Sequence, residues 1–357
     1  MTPFKTLNQM ANLYKRSADI RHFILANVDK HEHDISKLTA EHFGITRQSV
    51  NRYLQKLCGE NLLTKSGKTQ NIAYKLATLQ EWRASFSLDP GLAEDVVWTN
   101  NIRQIILPVP DNILNIWQYG FTEMFNNIIE HSDGSMATVY IQKNSFYTEM
   151  FLHDNGVGIF EKIKTKLNLN DIFQAIFELH KGKLTTDPKN HTGEGIFFTS
   201  RMFDSFNICS KGVFFDHEND RDKDLILDHN FNVSGTIVKL RLSNHTTRTV
   251  KSVFSKFDSK TDYSFNKTII PIRLAQYGTD LLISRSQAKR ILMRVELFQN
   301  VILDFNGVDY IGQAFADEIF RVFSQNHPKI KLLVINTNHE VEKMIKRVKS
   351  NINNQTK

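Results

Sequence analysis

The chain has 357 residues, of which 41% are hydrophobic and 23% are charged, the composition of a globular protein with room for roughly two or three domains. Its formal net charge is +7, and its two cysteines, Cys58 and Cys209, lie far apart, which argues against a disulfide framework or a zinc module and suits a reducing cytoplasm. Neither an apolar run of about 18 residues nor a signal-peptide core occurs, so we expect a cytoplasmic protein without a membrane segment.

Most of the excess positive charge lies in the first fifth of the chain. Residues 1–78 contain twelve Lys or Arg and six Asp or Glu, an excess of six positive charges. A concentrated basic segment is typical of nucleic-acid binding, although a solvated surface with a random charge bias has the same composition. Charge alone therefore leaves both interpretations open.

Helix signals in this basic segment follow a specific order. Residues 17–31 have an amphipathic helical pattern, and a second short helix follows Asp34. Gly44 ends that helix, and Thr46 can cap a third one. A short helix, a glycine turn and a capped helix are the order of a helix-turn-helix, in which the first residues of the capped helix meet the major groove.

The outward side of the capped helix carries side chains that can bind base edges and phosphates: Arg47, Gln48, Ser49, Asn51 and Arg52. Two strands are then predicted around Ser66 and Gly67, with Lys65 and Lys68 placed to contact phosphates. Residues 1–78 resemble the winged-helix DNA-binding domains of bacterial regulators. This resemblance implies DNA as a partner, and a winged helix that contacts only protein is the alternative.

The sequence TEMFNNIIEHSDG, residues 122–134, lies in a helix predicted to begin after Pro110. At about 100° per residue, Glu123, Asn127 and His131 fall on one face of this helix. Polar faces of this kind are commonly only solvated. The helix alone therefore does not establish a site.

A strand that ends in a carboxylate follows this helix. Asp154 closes the stretch EMFLHD, and Gly156 and Gly158 come directly after it. A carboxylate in this position can accept a hydrogen bond from an exocyclic amine such as that of adenine. The glycines allow the backbone to approach a flat ring.

Two further features lie later in the chain. Gly193 and Gly195 open a helix with an apolar period, and the bare amides of a helix start are a ready phosphate site. A late strand has Thr236 at its entrance, after a serine and a glycine. Each of these features is common when it stands alone.

Together and in this order, the four features resemble the nucleotide-binding boxes of the GHKL ATPase superfamily, whose domain is a Bergerat-type α/β sandwich. The resemblance covers residues 101–245 and implies ATP and Mg²⁺ as cofactors. It implies that Asn127 ligates Mg²⁺, that Asp154 reads adenine and that Glu123 is the general base. The other implied ATP contacts are Gly156, Gly158, Gly193, Gly195 and Thr236.

The polar and basic residues 180–191 match the position of the ATP lid in this superfamily. Lys181, Lys183 and His191 are candidate phosphate ligands within it, and a solvated loop is the alternative. The Gly-Glu-Gly sequence that follows lacks the further glycine of many relatives. Since no helical hairpin with an exposed phosphoacceptor histidine precedes the region, histidine kinase activity is not expected.

The last third of the chain alternates predicted strands and helices, with one of the strands expected at 280–284, which indicates a small α/β domain. Residues 301–320, VILDFNGVDYIGQAFADEIF, resemble the STAS domain of anti-anti-sigma factors, in particular a STAS-like group with a Phe-Ala-Asp-Glu helix. Phosphorylated STAS proteins carry a hydroxyl residue in the turn before this helix. The aligned residues here have no hydroxyl: Gly312, Gln313, Ala314 and Phe315.

We therefore predict a multidomain α/β protein. The boundaries are 1–78 for a winged helix-turn-helix, 79–100 for a linker, 101–245 for a Bergerat-type ATPase domain, 246–267 for a second linker and 268–350 for a STAS-like domain. This order favours a regulator in which ATP changes DNA binding and the STAS-like domain senses a signal or binds a protein partner. The alternatives are a serine/threonine kinase acting on a separate protein and a nucleotide-binding module without turnover; the protein is also a candidate homodimer.

Overall fold

The structure is a computed structural model that describes residues 3–68, 71–184, 193–219, 225–228, 233–257, 265–276 and 281–355. It is a multidomain α/β protein with mixed helices and sheets. Its contacts divide the chain into two compact units, the first of residues 1–83, 140–150 and 242–246 and the second of the remaining residues. In the described ranges, none of the helices combines the length and the apolarity that a membrane span requires.

The first unit begins with three helices and a hairpin. These elements are α1 (Pro3–Asn27), α2 (Ile35–Phe43), α3 (Arg47–Gly59), β1 (Leu63–Ser66) and β2 (Ala73–Leu76). Thr46 caps α3, because its side chain accepts a hydrogen bond from Ser49 N at 3.2 Å. The two strands pair antiparallel, as the sequence predicts. Apolar side chains of the helices and of β1 form one buried core: Ile20, Ile24, Val28, Ile35, Val50, Leu54, Leu57 and Leu63.

Two more segments complete the first unit and pack on its helices. The Tyr147 hydroxyl donates a hydrogen bond to Asp29 Oδ2 at 2.8 Å. The rings of His22, Phe146 and His245 form a cluster with centroid distances of 5.4, 5.6 and 5.7 Å. Residues 140–150 and 242–246 therefore belong with the helices that precede them by more than one hundred positions in the sequence.

A seven-stranded sheet is the largest in the protein's described part. Its strands are β3 (Thr78–Ser87), β4 (Met136–Asn144), β5 (Tyr147–Asp154), β6 (Ser205–Ser210), β7 (Val213–Glu218), β8 (Leu225–Asp228) and β9 (Thr236–Ser243). Their order across the sheet is β3-β4-β5-β9-β6-β7-β8, and β6 pairs antiparallel with both β7 and β9. Side chains of β9 alternate between buried and half-buried, the pattern of a strand with one face against the core.

Seven helices accompany this sheet in the described residues. They are α4 (Glu94–Val97), α5 (Arg103–Ile106), α6 (Asp111–His131), α7 (Ile159–Lys166), α8 (Ile172–Lys181), α9 (Gly195–Met202) and α10 (Val250–Phe254). The Trp117 ring on α6 packs edge-on against Phe203, directly after α9, with 4.8 Å between the centroids. The contact brings α6 and α9 side by side, and α9 also packs on β6.

The first predicted linker, residues 79–100, is structured instead. It contains most of β3, in which Trp82, Ala84 and Phe86 are half-buried and alternate with exposed residues. It ends in helical turns that bury Trp98 to 3% exposure. The prediction of a linker is wrong here, because a polar segment with apolar side chains at every second position can pair as an edge strand.

The second predicted linker is also structured in its described residues, 246–257 and 265–267. Thr249 and Ser252 form a reciprocal capping box at the start of α10. Val253 and Phe257 are buried, and Phe254 stacks near Phe198 with a centroid distance of 4.1 Å. Residues 247–257 are therefore a packed part of the second unit rather than an extended linker.

The last part of the second unit is a three-stranded parallel sheet with helices. Its elements are β10 (Lys267–Pro271), α11 (Arg285–Leu292), β11 (Asn300–Asp304), α12 (Gln313–Asp317), α13 (Ser324–Asn326), β12 (Lys331–Ile335) and α14 (His339–Gln355). The predicted strand at 280–284 is, from residue 281 onward, only an isolated bridge between Leu282 and Ile311. The alternation of strands and helices otherwise follows the prediction.

Candidate functional site

A cavity of about 490 Å³ lies beside α6. Its wall includes seven residues that the sequence singles out: Glu123, Asn127, His131, Asp154, Gly193, Gly195 and Thr236. They come from α6, the end of β5, the start of α9 and the start of β9. The fold thus collects four separate stretches into one concave surface, whose volume lies in the range of about 300–1,000 Å³ that small-molecule sites have.

Asp154 forms a polar floor in this cavity. It is only 4% exposed, and its Oδ1 accepts a hydrogen bond from Gly156 N at 2.8 Å. The backbone N–H and the hydroxyl of Thr236 also donate to the carboxylate. Burial raises the pKa of Asp154, while these three donors act in the opposite direction by stabilising the carboxylate form. The side chain is therefore held in one orientation.

The turn after Asp154 positions the start of α7. Gly158 has a φ of 97°, which favours glycine, and a Cβ there would overlap Ser210 Oγ. Thr236 Oγ1 accepts a hydrogen bond from Ile159 N at 2.9 Å, which ties the start of α7 to the start of β9. Gly156 and Gly158 themselves lie outside the cavity wall, so their role in the structure is to shape this turn.

Two further carboxylates, those of Glu123 and Glu194, belong to the cavity wall. A Cβ on Gly195 would overlap Glu123 Oε2, so the Glu123 carboxylate lies directly against the first residue of α9. Tyr119 also lines the cavity. Burial, followed by the charges of Glu123 and Glu194, raises the pKa of the Tyr119 hydroxyl far above its ordinary value. Tyr119 and Glu194 were not predicted as site residues, because Tyr119 belongs to no recognised spacing and only the glycines of Gly193-Glu194-Gly195 were singled out.

Lys162 is a basic residue of the cavity wall that the sequence reasoning missed. Its Nζ donates to the backbone oxygen of His131 at 2.6 Å and to Asp133 Oδ2 at 2.7 Å. It thereby joins the last turn of α6 to α7. The sequence signal for it is weak, since a lysine in the first turns of an amphipathic helix is normally solvated.

The predicted lid lies largely outside the described residues. His191 and the other residues from 185 to 192 belong to that undescribed part. The two ends of the segment are described, and they meet at the cavity: Leu184 N donates to Gly193 O at 3.0 Å, and both residues line the wall. Leu184 and Gly193, the described residues on either side of this segment, are therefore a hydrogen-bonded pair at the cavity edge.

Lys181 and Lys183 do not line the cavity. Lys181 is 1% exposed, and its Nζ donates to Glu178 Oε1 at 2.6 Å and to the backbone oxygen of Met293 at 2.6 Å. Lys183 Nζ donates to the backbone oxygen of Leu297 at 3.1 Å. Both ammonium groups bind residues that lie more than one hundred positions later in the chain. This placement differs from the predicted phosphate contact, and we leave both residues out of the candidate site.

We expect the substitution Lys181→Met to lower the free energy of unfolding by about 3–5 kcal/mol, because it strands the buried Glu178 carboxylate without its closest cation. Burial lowers the pKa of Lys181 to about 8 and raises the pKa of Glu178. Desolvation therefore disfavours both charges, and each charge stabilises the other. Chemical denaturation would measure the loss. The double variant Glu178→Leu/Lys181→Met should recover part of it, and Lys166→Met, at an exposed end of α7, should change stability by less than about 0.5 kcal/mol.

A result in which the single and double variants lose the same stability would contradict a charge-based origin of the effect. The cause would then be the lost packing of the lysine stem.

The residues predicted to contact DNA lie at the surface of the first unit. Six of them are exposed: Arg47, Gln48, Asn51, Arg52, Lys65 and Lys68. Ser49 is half-buried, and its hydroxyl lies 3.0 Å from Thr46 Oγ1. Asn51 Oδ1 accepts a hydrogen bond from Ser36 Oγ at 3.1 Å, which links α3 to α2. Ser49 and Asn51 thus have structural contacts in addition to any role at the surface.

The turn before α12 has no hydroxyl side chain at the positions compared with phosphorylated STAS proteins. Gly312 is the cap of α12, and Gln313 and Ala314 are exposed at its first turn. Phe315 is fully buried.

Comparison with known protein families places the C-terminal part of the chain. The model of a STAS-like domain of unknown function (DUF4325) matches residues 287–342, which lie within the predicted STAS-like domain. Searches of curated proteins and of solved structures found no match. The matched residues run from α11 to the start of α14 and include the parallel strands β11 and β12. Residues 287–342 thus form a STAS-like domain.

Proposed function

We propose that the cavity beside α6 binds ATP with Mg²⁺, and that residues 101–245 form a GHKL-type domain of the Bergerat fold. The observation that carries this proposal is that Asn127, Asp154, Gly195 and Thr236 line one cavity. Each of them comes from a different one of the four sequence stretches that resemble the nucleotide boxes. A chance match to those boxes would not be expected to bring all four residues to one surface.

The residues present fit this ligand chemically. Asp154 is a buried acceptor fixed by donors, as recognition of an exocyclic amine requires. Asn127 offers an amide oxygen, a hard ligand suited to Mg²⁺. The first amides of α9, beside Gly195, suit a phosphate group.

Within this site, Glu123 would take the proton from an attacking water or hydroxyl. When bound, ATP would supply the phosphoanhydride bond, and Mg²⁺ would neutralise part of the phosphate charge. The protein contributes orientation: α6 fixes Glu123 and Asn127 one helical turn apart, and Gly195 leaves room for the Glu123 carboxylate.

We further propose that residues 1–78 form a winged helix that binds DNA and that nucleotide binding changes this activity. The exposed basic side chains on α3 and on the hairpin support DNA binding. The order of the predicted modules, a basic DNA-binding segment followed by a nucleotide-binding domain, supports the coupling. In this proposal the STAS-like domain supplies a surface for a protein partner or a signal.

The double variant Arg47→Ala/Arg52→Ala should bind duplex DNA more weakly at every salt concentration. If each arginine contacts one phosphate, the slope of log affinity against log salt should decrease in magnitude by roughly two. Fluorescence anisotropy with a labelled mixed-sequence duplex would measure both quantities. The matched control is Lys343→Ala/Arg347→Ala, which removes two exposed positive charges from α14. An unchanged slope in the Arg47/Arg52 variant would remove α3 from the interface.

The same titration with and without saturating ATP and Mg²⁺ tests the proposed regulator. We expect a change in DNA affinity of about fivefold or more, in the range of ordinary allosteric coupling. If ATP binds but leaves both DNA affinity and oligomeric state unchanged, the proposed switch is wrong.

A further inference from the structure

The STAS-like domain holds the chain at the edge of the cavity. Arg294 Nη2 donates to the backbone oxygen of Lys183 at 2.5 Å, and Thr268 Oγ1 donates to the backbone oxygen of Lys181 at 2.7 Å. In the reverse direction, Lys181 Nζ binds the Met293 oxygen and Lys183 Nζ binds the Leu297 oxygen. Two backbone carbonyls and two ammonium groups from one short segment are thus fixed by residues of the C-terminal domain.

Packing leaves little freedom in this segment. Gly182 has a φ of 84°, and a Cβ there would contact the rings of Phe197 and Phe265 at 2.9 Å. Phe265 lies two residues before β10, while Phe197 is in α9, the helix that begins at the cavity. The glycine therefore lies where the two parts of the second unit press together.

The fixed segment leads directly into the cavity wall. Leu184 follows Lys183, lines the cavity and donates its N–H to Gly193 O at 3.0 Å. Gly193 is in turn two residues before Gly195, which contacts Glu123. The peptide group between Lys183 and Leu184 thus makes both hydrogen bonds. Its oxygen accepts from the Arg294 guanidinium, and its N–H donates to Gly193 O.

Arg294 itself is held in a defined position. Its backbone has φ 58° and ψ 14°, a left-handed conformation that a side chain other than glycine rarely adopts. Its Nη1 lies 3.6 Å from Glu178 Oε2, and the Glu178 side chain is fully buried. A planar guanidinium offers separate, rigidly placed N–H groups to the carboxylate and to the carbonyl, whereas a flexible ammonium fixes them less strictly and an apolar chain binds neither.

We infer that Arg294 is a positioning residue of the candidate nucleotide site, through which the STAS-like domain keeps the Leu184–Gly193 pair closed. This inference rests on the proposed function for its effect on ATP. It assigns the C-terminal domain a role within the chain: the domain fixes Leu184 and, through it, Gly193, which lies two residues before the first amide of α9. Arg294 acts on the nucleotide only through the Lys183 carbonyl and Leu184.

Hydrogen exchange and nucleotide binding on the full-length protein test this inference. The variants are Arg294→Met, Arg294→Lys and Thr268→Val, and Arg285→Met is the matched control because Arg285 is exposed on α11 and pairs with Asp317. Exchange at the Leu184 amide is measured without nucleotide. Dissociation constants are then measured for ATP with Mg²⁺ and for ADP.

Arg294→Met should speed exchange at Leu184 by about tenfold or more, since a hydrogen bond to a charged group is lost. It should weaken ATP binding by about tenfold and ADP binding by less than about threefold, because adenine recognition at Asp154 is not altered. Arg294→Lys should fall between the wild type and Arg294→Met, and Thr268→Val should shift exchange and ATP affinity in the same direction. Arg285→Met should match the wild type.

Unchanged exchange at Leu184 in folded Arg294→Met or Thr268→Val would overturn the inference, whether or not ATP binds. Faster exchange with an unchanged preference for ATP over ADP would also overturn it. Failure of the wild type to bind any nucleotide would overturn the proposed function instead, and exchange would still show whether Arg294 holds the pair closed.

Discussion

Replacing Asp154 with asparagine is expected to weaken ATP binding by about 10- to 100-fold, the loss of a charge-assisted hydrogen bond of about 1.5–3 kcal/mol. The carboxylate already accepts hydrogen bonds from Gly156 N and from Thr236, so donors surround it on the protein side. An adenine amine would be a further donor. An asparagine has only one oxygen, and its NH₂ group would face at least one of these donors. Isothermal titration calorimetry with ATP and Mg²⁺ would measure the loss.

The substitution Asp171→Asn is a matched control for Asp154→Asn. Asp171 caps α8 by accepting a hydrogen bond from Gln174 N at 2.8 Å, and asparagine is an equally good cap. This variant should retain wild-type ATP affinity and stability. If folded Asp154→Asn binds ATP within twofold of the wild type, Asp154 does not read the base and the orientation proposed for the nucleotide is wrong.

The arrangement around α6 could be predicted because it depends on local periodicity. The helical repeat places Glu123, Asn127 and His131 on one face whatever the rest of the fold does. The apolar stripe of the same helix then determines which side is buried. Asp154 was predictable for a similar reason, since it is the last residue of an apolar strand and is followed by glycines.

The burial of Lys181 could not be predicted from its neighbours in the sequence. Its side chain is buried by contacts with Met293 and with the Glu178–Arg294 pair, and the first of these depends on residues 112 positions away. A lysine in a polar stretch is normally solvated. The sequence of α8 gives no signal of this burial: Gln174, Glu178 and Lys181 recur on one face, as in a solvated amphipathic helix, although all residues from Gln174 to Lys181 are buried in the structure.

The first predicted linker, residues 79–100, carries the signal of a strand in its sequence. Trp82, Ala84 and Phe86 alternate with polar residues, and this period of two is the mark of a half-buried strand. The predicted strand at Leu282 shows the reverse case. The run is apolar, but Leu281 and Ile283 are 57% and 51% exposed, and only Leu282 forms a bridge. A short apolar run therefore did not suffice to extend the parallel sheet.

The substitution Glu123→Gln is expected to reduce ATP hydrolysis by about 10²- to 10⁴-fold while leaving ATP binding within about threefold of the wild type. Glutamine keeps the volume that lies against Gly195 but cannot accept a proton from the attacking group. Release of labelled phosphate from γ-labelled ATP, measured beside calorimetric binding, separates the two effects. Glu130→Gln, at an exposed position on the same helix, is the matched control and should hydrolyse ATP normally.

The outcome for the wild type decides between the two catalytic functions. Free phosphate released by the wild type and lost in Glu123→Gln would support an ATPase switch, because water is then the nucleophile that Glu123 activates. ATP binding without phosphate release would favour a kinase that awaits a separate protein substrate, since the chain's own STAS-like turn offers Gly312, Gln313 and Ala314 and no hydroxyl. Equal hydrolysis by wild type and Glu123→Gln would contradict the general-base role. Glu123 would then serve to hold the start of α9 through its contact with Gly195.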